Sequence, residues 1–192
     1  MTFTLATVAC ESIFIPDPID PRMPKYTETG NNVAGAHIND KVWKSEQSWN
    51  PPYGGTDAPS FDSWPENDSV VIRFSGETGD KRAYIEFHLK NWSVDNFESI
   101  SQLGGLKIEL DGNENSAYYY EESYNSETCK YKGVGQFYPK NIQLNDSLTT
   151  ALFSGTFGFT ITDSLGNSTK VSYGRFDYSL NKEYDFFINQ EW

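Results

Sequence analysis

The chain has 192 residues, enough for one all-β domain with a buried core or for two small domains at most. Its 27 Asp and Glu against 15 Lys and Arg give a formal charge of −12 with no basic cluster, which excludes the positive patch that nucleic-acid binding needs. A composition of 37% hydrophobic and 16% aromatic residues excludes a disordered chain, and 2 cysteines exclude both a disulfide framework and a four-cysteine zinc site.

The opening MTFTLATVAC carries no charged side chain and ends in Thr7-Val8-Ala9-Cys10. That ending resembles the tail of a bacterial lipoprotein signal, which is cleaved before a lipidated cysteine. Residues 1–10 are therefore expected to be the remnant of such a signal, with Cys10 as the lipidation site; the plain alternative is an ordinary thiol near a terminus. Residues 11–30 contain Pro16, Pro18, Pro21 and Pro24. Each removes a backbone donor and extends its predecessor, so the stretch reads as a semi-rigid tether. Residues 31–192 read as a single all-β domain. No segment approaches the ~20 apolar residues of a spanning helix, so any membrane attachment is expected through the lipid alone.

Within the domain, alternation with period two dominates. Ala34, Ala36 and Ile38 lead to Asn39-Asp40, and a two-residue turn there places Ala36 opposite Trp43. Val70, Ile72 and Phe74 share a face, as do Ile85, Phe87 and Leu89, with residues 76–80 as the turn of a hairpin. Leu106, Ile108 and Leu110 predict a strand that turns through Asp111-Gly112-Asn113-Glu114-Asn115 into residues 117–121 as a second hairpin. The stretch 94–102 is the one helix candidate and lacks an apolar stripe at 3.6-residue spacing.

Phe153, Phe157, Phe159 and Ile161 mark the clearest core strand. Val171 and Tyr173 then lie on one parity while Phe176, Tyr178 and Leu180 lie on the other, which predicts an inserted residue and a β-bulge at Gly174-Arg175. A last strand is expected over residues 184–188. The pattern predicts about nine or ten antiparallel strands in a β-sandwich or a flattened, lipocalin-like barrel.

Three of these pieces in order, Ala36-His37-Ile38-Asn39-Asp40-Lys41-Val42-Trp43, Phe153-Ser154-Gly155-Thr156-Phe157-Gly158-Phe159 and Gly174-Arg175-Phe176-Asp177, resemble an uncharacterised family of Bacteroidetes lipoproteins over residues 31–180. The resemblance implies an all-β fold and an outer-membrane lipoprotein of the cell envelope, on its periplasmic or surface face. It implies no catalytic residues.

Chemistry is sparse in the sequence. His37 and His88 lack metal-ligand spacing, and His88 is expected to be solvated on the polar face of its strand. Cys129 reads as a small apolar residue. Residues 111–115 alternate oxygen ligands but have Ser116 where a calcium loop needs glycine, so they read as a turn, and no metal or cofactor is expected. The segment from Trp43 to Trp64 is rich in aromatics, prolines and glycines, and Trp49, Tyr53 and Trp64 are its candidate ligand-binding residues. Aromatic rings among polar neighbours suit sugar rings, although the same rings can plug the end of a β-domain. Tyr118, Tyr119 and Tyr120 read as cross-strand packing. The expected function is a non-catalytic binding or assembly module whose partner is a glycan or another envelope protein. The alternatives are a carrier of a small apolar ligand inside a barrel and an unrecognised hydrolase.

Overall fold

The computed structural model describes residues 12–45, 59–122 and 131–189. These hold eleven strands: β1 (Val33–Ile38), β2 (Lys41–Ser45), β3 (Ser60–Trp64), β4 (Ser69–Thr78), β5 (Lys81–Lys90), β6 (Ile108–Leu110), β7 (Ser116–Glu121), β8 (Gly133–Leu144), β9 (Thr150–Thr162), β10 (Ser168–Asn181) and β11 (Phe186–Ile188). Eight of them close an antiparallel barrel in the order β4-β2-β1-β10-β9-β8-β7-β5, with β5 returning to β4. The strands β3, β11 and β6 are appended, and β11 runs parallel to β3.

Aromatic rings from non-adjacent strands meet inside the barrel. Phe74 on β4 lies 5.1 Å from Phe176 and 5.5 Å from Tyr178, both on β10. Phe87 on β5 stacks on Phe137 of β8 at 4.3 Å. All five side chains are buried, and with Phe153 and Phe157 they fill the interior. Large rings at alternate strand positions therefore both drive the collapse and occupy the space it encloses.

The first hairpin forms as the alternation predicts. Ala36 pairs with Trp43, and Asn39 takes the left-handed turn conformation that asparagine tolerates. The second hairpin, β4 to β5, forms with a shorter turn at Gly79-Asp80. Gly76 belongs to the strand because the Trp43 indole lies over it, and a Cβ there would sit 2.6 Å from Trp43 Cε2.

Three local readings change. Residues 108–121 do not form a hairpin: β6 pairs with β8, while β7 pairs with β5 along its length. Asp111 Oδ1 accepts the N–H groups of Asn113, Glu114 and Asn115, which turns the chain away instead of folding β7 back on β6. The stretch at 94–102 overlaps a 3-10 helix, Phe97–Leu103, whose buried residues Phe97, Ile100 and Leu103 are spaced by three, matching its three residues per turn. The extra residue of β10 falls earlier than Gly174-Arg175. Those two pair regularly with Phe157 and Thr156, and the register slips between Val171 and Gly174. Tyr173 carries the bulge at φ 53° with its ring exposed, while Gly174 packs under the Phe157 ring, where a Cβ would lie 2.3 Å from Cδ2.

From residue 12 the proline-rich stretch, read from the sequence as a semi-rigid tether, runs along the barrel wall. Ile15 O accepts Lys25 N, Asp17 N donates to Met23 O, and Met23 is fully buried. Arg175 Nη1 reaches Asp17 Oδ2 at 2.6 Å. Asp177 accepts from Thr27 Oγ1 and from the N–H groups of Thr29, Gly30 and Asn31. The outward polar residues of Gly174-Arg175-Phe176-Asp177 thus hold the N-terminal hairpin, while Phe176 serves the core. This hairpin covers β1 and β10; in the strand order, β5 and β7 form the opposite wall.

Candidate functional site

The outer face of that opposite wall carries the densest polar and aromatic cluster among the described residues. Residues directly across antiparallel strands share a face, and the register places Arg73 beside Glu86 and Glu86 beside Tyr118, with Tyr84 beside Tyr120 and His88 beside Ser116. Glu86 is the centre of the group. Its side chain is 1% exposed, although it lies on the outside of the barrel. Arg73 Nε donates to Oε1 over 2.7 Å, the Tyr120 hydroxyl donates to the same oxygen, and His88 Nε2 lies 3.1 Å from Oε2.

A carboxylate out of water needs such partners, and these three supply them from three adjacent strands. Burial, together with the bond to Glu86, raises the Tyr120 hydroxyl above its ordinary pKa, which keeps it a donor. Tyr84 and Tyr120 stack with centroids 5.1 Å apart, the Arg82 guanidinium lies 5.9 Å from the Tyr84 ring, and His88 packs on Tyr118 at 4.6 Å. The result is a set of half-buried rings beside a guanidinium, a hydroxyl and an imidazole that one buried acid holds in place.

Trp64 ends β3 opposite Ser69, half-buried and on the same outer face as Arg73. Cys10, Trp49, Tyr53 and Cys129 lie outside the described residues. Tyr119 points the other way from its neighbours, its hydroxyl bonded to Thr78 Oγ1 and donating to Glu121 Oε1. Tyr118 and Tyr120 therefore do more than pack across strands. Sequence reasoning missed Glu86 because alternation assigns it to the solvated face; the available signal was the cluster of Arg73, Tyr118 and Tyr120 that register brings to it. His88 is not freely solvated, since Glu86 holds it. His37 is held in the same way by Asp20 Oδ2 at 3.1 Å.

Among the described residues no three His, Cys, Asp or Glu side chains converge as a metal set. No helix there is long and apolar enough to cross a membrane. Comparison of the chain with protein-family models, with curated proteins and with solved structures finds no match.

Proposed function

We propose that this protein is a non-catalytic binding module of the bacterial cell envelope, anchored by lipid at Cys10, that takes carbohydrate on the outer face of β4, β5 and β7. The observation that carries this reading is the buried Glu86 holding Arg73, Tyr120 and His88 amid the rings of Tyr84 and Tyr118. Sugar recognition needs apolar ring faces next to fixed donors and acceptors, and preorganised side chains lose little entropy on binding. The phenylalanine-filled interior favours an external ligand over one carried inside the barrel.

Thermal shift of the full chain against neutral and acidic glycans tests the site. A ligand at about 100 times its dissociation constant stabilises by roughly 2.7 kcal/mol. The shift is expected to disappear in Tyr84→Ala with Tyr118→Ala, which leaves Glu86 and its three partners in place. A shift that survives in this variant moves the site elsewhere, and no shift with any glycan removes the carbohydrate reading.

A further inference from the structure

The hairpin over β1 and β10 exposes four large apolar side chains within seven residues. Ile13 is 54% exposed, Phe14 44%, Ile15 41% and Ile19 93%. A frayed terminus would make such exposure trivial, but this segment is pinned. Ile13 N donates to Asn31 O at 2.9 Å, Ile15 O accepts Lys25 N, Pro16 bridges to Pro24, and Met23 is buried against the barrel. The fold thus spends backbone bonds and a buried methionine on holding these side chains in water. Exposed apolar groups clustered in this way mark a contact surface.

Two further observations select the occupant. The expected lipidation site, Cys10, lies two positions before residue 12, with Glu11 between them. All three carboxylates of residues 12–30 are matched: Asp17 by Arg175 at 2.6 Å, Asp20 by Arg22 at 2.7 Å and His37 at 3.1 Å, and Glu28 by Lys140 at 2.7 Å. In a chain of net charge −12, the described part of the hairpin presents apolar groups with its carboxylates paired and adds Lys25, while Lys44 of the neighbouring β2, opposite Glu77, lies 5.6 Å from the Phe14 ring. That combination suits the headgroup boundary of a bilayer, where apolar side chains enter and ammonium groups meet phosphates.

We infer that Ile13, Phe14, Ile15 and Ile19 dock the barrel directly on a lipid bilayer, as a second contact beside the lipid on Cys10. The inference deepens the anchoring part of the proposed function, and the test separates the two. Full-length protein carrying Cys10→Ser, which cannot be lipidated, is sedimented with phosphatidylcholine vesicles and with vesicles that also contain phosphatidylglycerol, alongside the same protein with all four residues changed to serine. Partition of the Cys10→Ser protein into the vesicle pellet, falling about tenfold or more in the serine variant at unchanged melting temperature, is the expected result. Leu165→Ser, which removes another exposed apolar side chain, is expected to change nothing. Equal partition of the two proteins, absence of the Cys10→Ser protein from the pellet, or a dimer in solution that the serine changes dissolve would each overturn the inference. Anchoring itself is read separately, by whether Cys10→Ala releases the protein from the cellular membrane fraction.

Discussion

Arg73 and Glu86 face each other across β4 and β5, and the exposed partner holds the buried one: Arg73 is 42% exposed while Glu86 is 1%. Arg73→Met strands a carboxylate away from water with two of its three named partners. It is expected to cost about 2–3 kcal/mol in urea unfolding. Adding Glu86→Leu removes the stranded charge and should bring stability back to within about 1 kcal/mol of the parent. If the double variant is no more stable than the single, the pair does not carry the cost assigned to it.

The bulge in β10 predicts opposite signs at neighbouring positions. Gly174→Ala drives a methyl group into the Phe157 ring and should destabilise by about 1–3 kcal/mol. Tyr173→Gly relieves a positive φ at an exposed ring and should be neutral or stabilise by up to about 1 kcal/mol. Thermal unfolding of the two variants distinguishes them, and a destabilised Tyr173→Gly would mean the ring's contact with His37, at 5.7 Å, outweighs the backbone strain.

Asp185 supplies the pH dependence. Burial raises its pKa to about 6, against the pull of the Asn181 N–H on Oδ2. Between the model-peptide range near 3.8 and this value the folded chain holds a proton that the unfolded chain has lost. This group's contribution to stability therefore falls as pH rises from about 4 to about 6, and levels off above. Asp185→Asn should flatten that part of the profile and gain at most about 3 kcal/mol at pH 7. An unchanged slope would place the titration elsewhere.

Asp177 gathers four donors from residues 27–31, so Asp177→Ala should loosen the hairpin before it loosens the barrel. Amide exchange in residues 12–30 is expected to accelerate about tenfold or more, with β4 and β5 little changed. Uniform acceleration through both regions would show that hairpin and barrel open as one unit.

The strands that pack the core were readable because each presents one face to it: Ile72 and Phe74, Phe87, Phe153 and Ile161 all lie where alternation puts them. So was the turn that sets Ala36 under Trp43. What could not be read depends on partners distant in the chain. Nothing local tells β6 to choose β8 over β7, or β11 to run parallel beside β3. Glu86 was hidden for the same reason, since an outward position is solvated by default and only the register of β4 and β7 buries it. The bulge was legible in parity but not in place, because a glycine suits a bulge and a close ring contact equally well, and here Phe157 claims it.

Closure of the barrel also sets an order of events during folding. β4 and β5 can pair as soon as both have been made, but Val33 finds its partner only at Asp177, and β1 has no other neighbour besides β2. Contacts so distant along the chain incur their loop entropy before they return any stability, so the ring should close late and slowly. Until β10 arrives, β2 can pair with β4, but the free edge of β1 and the segment ahead of it lack the strand they lie against. Residues 12–38, made well before β10, are thus among the last of the described residues to reach their final positions, and an unfinished chain exposes the edge of β1 to any strand that meets it.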